Sequence, residues 1–178
     1  MKTLFYITGL LFLLTIVACK KQSSADPHIE FDMDGTHYSY PLSQGQLQVV
    51  NGTSKVLLFS SGVNFSLNAA EIALYDEQSP LNSDLLSTGS YHCFYADAAC
   101  QDTLSSGCHG YTFMVMSAQG VWTQYGSDST TTLNVTSCAG NPPVISATFT
   151  ALIGDPNGGQ LHSVTNGKLV NATYIKVP

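Results

Sequence analysis

Three acidic residues on alternate positions, Glu30, Asp32 and Asp34, run into Gly35. That spacing matches the first half of a calcium loop, with oxygens at every second residue and glycine at the sixth. The twelfth position, which should supply a bidentate carboxylate, is Pro41. A proline side chain has no oxygen to offer, so the segment reads instead as a solvent-facing acidic edge closed by an Asp34-Gly35 hairpin turn. Asp155 and Asn157, with the glycines that follow, could hold calcium only weakly and read as a turn.

Histidine and cysteine offer the other routes to chemistry. The five histidines are His28, His37, His92, His109 and His162. None forms the helical HExxH pair of a zinc protease. Four cysteines, Cys93, Cys100, Cys108 and Cys138, follow Cys19. In an exported chain an even number favours disulfides, with three connectivities. The expected pairing is Cys100–Cys108, closing a loop, with Cys93–Cys138 joining strands. A metal site is the alternative, because His92-Cys93 and Cys108-His109 set two imidazoles beside two thiols. The chain has no CxxC pair, and oxidising surroundings favour the disulfides. No metal and no cofactor is expected. GxSxG, phosphate-binding glycine loops and dinucleotide fingerprints are missing from the sequence. Asp97 and Asp102 remain as carboxylates for sugar hydrolysis, a role set by a separation in space that no sequence carries. No catalytic residue is assigned, and the chain is read as non-enzymatic.

Aromatic residues give the one positive sign of binding. Tyr38, Tyr40, Tyr91, Phe94, Tyr95, Tyr111, Trp122 and Tyr125 fall in strands or beside loops. Their rings suit strand and core filling. Tyrosine and tryptophan also stack on sugar rings while their polar tips hydrogen-bond. Trp122 is the candidate for ligand stacking, since it alternates out of phase with Val121, Thr123 and Tyr125.

These side chains need a scaffold, and the apolar pattern supplies strands. Ile29, Phe31 and Met33 alternate with Glu30, Asp32 and Asp34, and Tyr38, Tyr40 and Leu42 continue on the return strand. Asn51-Gly52 separates Leu47 and Val49 from 56–60. Further candidate strands are 64–68, 71–75, 90–95, 111–116, 121–125 and 131–136. Residues 144–153 put Ile145, Ala147, Phe149, Ala151 and Ile153 on one face. Residues 161–165 and 168–177 flank Asn166-Gly167, which reads as a hairpin placing His162 across from Asn171. No segment sustains a 3.6-residue period, and 69–75 suits helix or strand equally. The expectation is an all-β fold, an antiparallel β-sandwich with a barrel as the alternative.

The N-terminus sets the compartment. Lys2 precedes a mostly apolar run from Leu4 to Val17, then small Ala18 and Cys19. The run is shorter than the roughly 20 residues that span a bilayer, and two lysines follow it, so 1–18 reads as a cleaved export signal. Residues 19–27 form a polar tether, and 28–178 a single β domain. The mature chain carries five lysines, twelve acids and no arginine. That balance excludes a phosphate-binding basic patch and, with it, nucleic acid as a partner.

Two resemblances add to this. Ile16-Val17-Ala18-Cys19 resembles the bacterial lipobox, which implies lipidation of Cys19 and a membrane partner reached through that lipid. Val144-Ile145-Ser146-Ala147-Thr148-Phe149-Thr150 and Val164-Thr165-Asn166-Gly167-Lys168-Leu169 resemble the C-terminal signature of Bacteroidota lipoprotein domains of unknown function. Ala147 stands where that group has glycine, and Leu169 where it has a second phenylalanine. The resemblance implies a lipid-anchored β-sandwich in the cell envelope and lends no catalytic residues. It also makes Asp102-Thr103-Leu104 and Asp128-Ser129-Thr130 candidates for O-glycosylation at Thr103 and Ser129. The residues after Cys19 lack an acidic surface-export pair, which favours the periplasmic face of the outer membrane. The function expected is a non-catalytic binding or display module for a glycan or protein ligand. The alternatives are a lipocalin-like carrier of a small apolar ligand and an unassigned hydrolase.

Overall fold

The computed structural model describes residues 25–61, 68–93, 109–117, 120–124, 131–155 and 158–178. Eleven strands run through them: β1 (His28–Met33), β2 (Thr36–Pro41), β3 (Gly45–Val50), β4 (Ser54–Ser60), β5 (Ala69–Asp76), β6 (Gly89–Cys93), β7 (His109–Ser117), β8 (Gly120–Gln124), β9 (Thr132–Ala139), β10 (Val144–Gly154) and β11 (Leu161–Lys176). The all-β expectation holds, and 69–75 is strand.

All eleven belong to one mixed sheet. The pairing runs from β11 through β3, β4, β5, β7, β6, β9 and β10 and returns to β11. Opposed walls therefore face each other as in a sandwich, while the hydrogen-bonded path is continuous as in a barrel. Two pairs, β11 with β3 and β6 with β7, are parallel, which corrects the expectation of purely antiparallel pairing. At one end β8 bridges β7 and β10. The β1–β2 hairpin hangs from β11, leaving β2 as an edge.

Alternation explains which face turns inward. Ile29, Phe31 and Met33 of β1 are buried, as are Ile145, Ala147, Phe149, Ala151 and Ile153 of β10. Phe113 of β7 meets Phe31 edge-on at 5.2 Å and Phe149 at 5.0 Å, so aromatic rings from three strands fill the interior. Tyr91, Tyr111 and Tyr174 are also fully buried.

The turn chemistry holds at two Gly-containing sites and fails at a third. Asp34-Gly35 joins β1 to β2 as a two-residue turn with both residues at positive φ, the geometry that dipeptide favours. Asn51-Gly52 turns β3 into β4. Asn166-Gly167, by contrast, is not a hairpin. It lies inside β11, which pairs with β1 on one side and β10 on the other. The register steps from Glu30↔Lys168 to Asp32↔Thr165, so an extra residue is absorbed as a bulge with Asn166 at φ 52°. A Cβ on Gly167 would sit 2.6 Å from the Phe149 ring. Glycine is needed for that close approach. Because the chain does not reverse there, His162 stands opposite Ile153 rather than Asn171.

Candidate functional site

The two ends of the closed sheet carry different polar chemistry. At one end the register aligns Lys55 of β4, Asp76 of β5 and His109 of β7 side by side. Asp76 Oδ1 accepts from the Gln78 and Ser79 amides at 2.9 and 3.0 Å, and Oδ2 from the Ser87 amide at 2.7 Å. Lys55 Nζ donates to Ser79 Oγ and to the Leu85 carbonyl, both at 2.9 Å. Tyr91 OH donates to the Ser87 carbonyl and Tyr174 OH to the Asp84 carbonyl. The Leu86 amide meets Cys138 Sγ at 3.4 Å, with the Leu86 side chain buried beneath. His109 stacks on Tyr91 at 4.7 Å and places Nε2 3.1 Å from Asp76 Oδ1, without hydrogen-bond geometry. Residues 77–88 are thus strapped across the end of the sheet.

Lysine, aspartate and histidine in one row could suggest acid–base catalysis. Here Lys55 and Asp76 are fully buried. Burial pushes Asp76 towards the neutral form, but the Ser87 amide and the Ser79 and Gln78 donors outweigh it and hold the carboxyl below its ordinary range. Burial pushes Lys55 down, opposed by Asp76. Neither group is presented to a substrate. The row is a clamp.

Along β1 and its turn into β2, each of the three acids has its own partner. Glu30 takes Lys168 Nζ at 2.7 Å, and Asp32 takes His37 and Asn166, both at 2.8 Å. Asp34 accepts from His162 Nδ1 and the Ser163 amide. Hydrogen bonds hold all three carboxyls below their ordinary range: Lys168 for Glu30, Asn166 and then His37 for Asp32, and His162 for Asp34. Among the described residues no group of three or more such side chains is placed to hold a metal ion.

Among the described residues, the opposite end of the sheet is open. Tyr38 and Tyr40 lie on the core-facing side of β2, paired in register with Phe31 and Ile29. Among the described residues no strand pairs beyond β2, and their rings are half-buried. Tyr38 stacks on Phe31 at 5.4 Å and parallels Tyr40 at 6.4 Å. Facing them is Trp122, which pairs with Val115 across the β7–β8 ladder and packs partly buried against the core. A cleft of about 230 Å³ opens between these walls, lined by Met33, Tyr38, Tyr40, Val115, Trp122, Asn68 and Ser117. Burial pushes the Tyr40 hydroxyl up, with Tyr38 adding to the effect. The cleft offers aromatic faces, an amide and hydroxyls, and no charged side chain. That composition suits stacking and neutral hydrogen bonding.

Of the residues singled out in the sequence, Trp122, Tyr38 and Tyr40 come together, while Tyr91 and Tyr111 go to the core. Two lining residues, Asn68 and Ser117, carry no sequence signal of their own. The Cys93–Cys138 disulfide is overturned. β6 sets His92 opposite Thr132, and Cys138 lies six residues further along β9, roughly 20 Å away. Bridged cysteines need Cα atoms within about 7 Å. Cys138 is a free thiol, 3.1 Å from Tyr174 OH. The two histidines of the metal alternative point apart: His92 is exposed, while His109 turns inward onto Tyr91. Cys19, Phe94, Tyr95, Asp97, Cys100, Asp102, Thr103, Cys108, Tyr125, Ser129 and the Cys93 side chain lie outside the described residues. No family model, curated protein or solved structure matches this chain.

Proposed function

We propose that this chain is a non-catalytic, lipid-anchored envelope module that binds an uncharged sugar in the cleft between β2 and the β7–β8 hairpin. The convergence of Tyr38, Tyr40 and Trp122 on one cleft carries the reading. Tyrosine and tryptophan walls stack on the apolar faces of pyranose rings, and the Asn68 amide and tyrosine hydroxyls can bond ring hydroxyls. None of the described lining residues is charged, which disfavours an ionic ligand. The lipocalin-like alternative needs an apolar chamber inside the ring, where Phe31, Phe113 and Phe149 are in mutual contact. The anchor rests on the lipobox-like residues ending at Cys19, with the outer membrane and its periplasmic face as the site.

The test uses the full-length protein in detergent on an array of neutral and charged glycans. Neutral glycans bind, and Trp122→Ala abolishes the signal. An array with no neutral ligand, or binding untouched by Trp122→Ala, refutes the cleft. Separately, Cys19→Ser moves the protein out of the membrane fraction; retention there refutes the lipid anchor.

A further inference from the structure

His162 lies where the sheet alternation turns it inward, opposite Ile153 of β10, which in turn pairs with Gln124 of β8. Directly opposed residues share a face, so His162 and the β8 residues of that parity, Gln124 and Trp122, point the same way. The imidazole meets the Trp122 indole edge-on, centroids 5.4 Å apart at 71°. It also contacts Asp34, at the turn between β1 and β2. Asp34 is tied to β11 three times: its carboxylate accepts from His162 Nδ1 and from the Ser163 amide, and its own amide donates to the Ser163 carbonyl. An ionised carboxylate only accepts, so Nδ1 must carry the proton, and the ring cannot turn over without losing that bond. The bond spans 128 positions of sequence.

We propose that His162 is a positioning residue of the cleft, held by Asp34 so that its ring sets the orientation of the Trp122 wall. The proposal rests on the sugar-cleft reading for its purpose, but its geometry stands without a ligand. The cleft has one wall on β2 and the other on β8. The chain Asp34–His162–Trp122 runs from the turn that ends the first wall to the ring that forms the second. It therefore fixes the spacing of the two aromatic faces between which a sugar would stack. A substitution in this chain should disturb Trp122 before it disturbs the core, because His162 and Asp34 are both at the open end.

Trp122 is the sole tryptophan, so indole emission reports this wall alone. The experiment compares full-length wild type with His162→Ala, His162→Gln and Asp34→Asn, each checked for an unchanged far-ultraviolet spectrum and cooperative melting. Asparagine tolerates the left-handed backbone of the Asp34 turn, so Asp34→Asn keeps the hairpin even if a His162 variant misfolds. In the absence of sugar, His162→Ala red-shifts Trp122 emission, increases its quenching by acrylamide and flattens its near-ultraviolet dichroism. Asp34→Asn and His162→Gln, which retain a hydrogen bond without the charge or the ring, give intermediate changes. Binding of maltose, cellobiose or mannobiose, whichever wild type takes up, weakens by up to about tenfold in His162→Ala, the scale of one well-placed aromatic contact. Emission and quenching unchanged in both His162→Ala and Asp34→Asn overturn the proposal. Changed emission with no sugar bound by wild type upholds the positioning role and refutes the sugar reading instead.

Discussion

The strapped end and the open end of this sheet use nearly the same residue types: aspartate, histidine and tyrosine, with lysine added at one and tryptophan at the other. At the strapped end Asp76 receives three backbone amides, and Tyr91 and Tyr174 spend their hydroxyls on carbonyls of 77–88. At the open end Tyr38, Tyr40 and Trp122 keep part of each ring accessible around a cleft. Residue identity alone therefore does not say which of these side chains stay accessible in this fold. What decides it, among the described residues, is whether another segment covers them. Where residues 77–88 supply donors and acceptors, polar groups become structural; where β2 is the last strand, aromatic faces remain available.

Substitutions can break this contrast. Asp76→Ala should have the largest effect, about 3–5 kcal/mol of lost stability in urea denaturation, because it leaves three amides without their acceptor and removes the negative charge that opposes the burial of Lys55. The pH dependence has a fixed sign. Asp76 is depressed in the folded protein, so its stabilisation is complete above the ordinary aspartate range and is lost as pH falls through the depressed value. Melting temperature should therefore drop in that acidic window, and Asp76→Asn should flatten the drop. An equal loss from Asp76→Ala and Trp122→Ala would erase the distinction between the two ends.

Next in size is Gly167→Ala, expected to cost about 1–3 kcal/mol as the new methyl meets Phe149. This tests the bulge directly, since a solvent-exposed hairpin glycine would not meet a core ring. Tyr174→Phe should cost about 1 kcal/mol, the net worth of its bond to the Asp84 carbonyl, with proteolysis within 77–88 increased. The smallest effect is expected on the outer face. Glu30→Gln, which weakens an exposed pair with Lys168, should leave the unfolding midpoint where it was.

Much of the fold was legible because alternation is local. Ile29, Phe31 and Met33, or Ile145 through Ile153, declare an inward face without reference to any partner strand. Asp34-Gly35 likewise declares a turn from its own backbone preference. Asn166-Gly167 has nearly the same preference, yet it forms a bulge, because β1 and β10 grip both sides of β11 and leave no room for reversal. Trp122 was legible as a binding candidate from its residue type and its place in a strand. Its partners were not: Tyr38, Tyr40 and His162 reach it only through β1, β11 and β10.

Residue order alone was enough to tell that this chain makes strands, which residues of many strands turn inward, and where two of its hairpins bend. It could do so because backbone preference and a two-residue period act over a few neighbouring positions. Long-range packing set the rest: that the sheet closes on itself, that Lys55, Asp76 and His109 lie in one row, that Cys93 and Cys138 are far apart, and that His162 meets Trp122. Each of these depends on register between strands distant along the chain. Register is set by how all the inward faces fill one shared interior, which no single segment specifies.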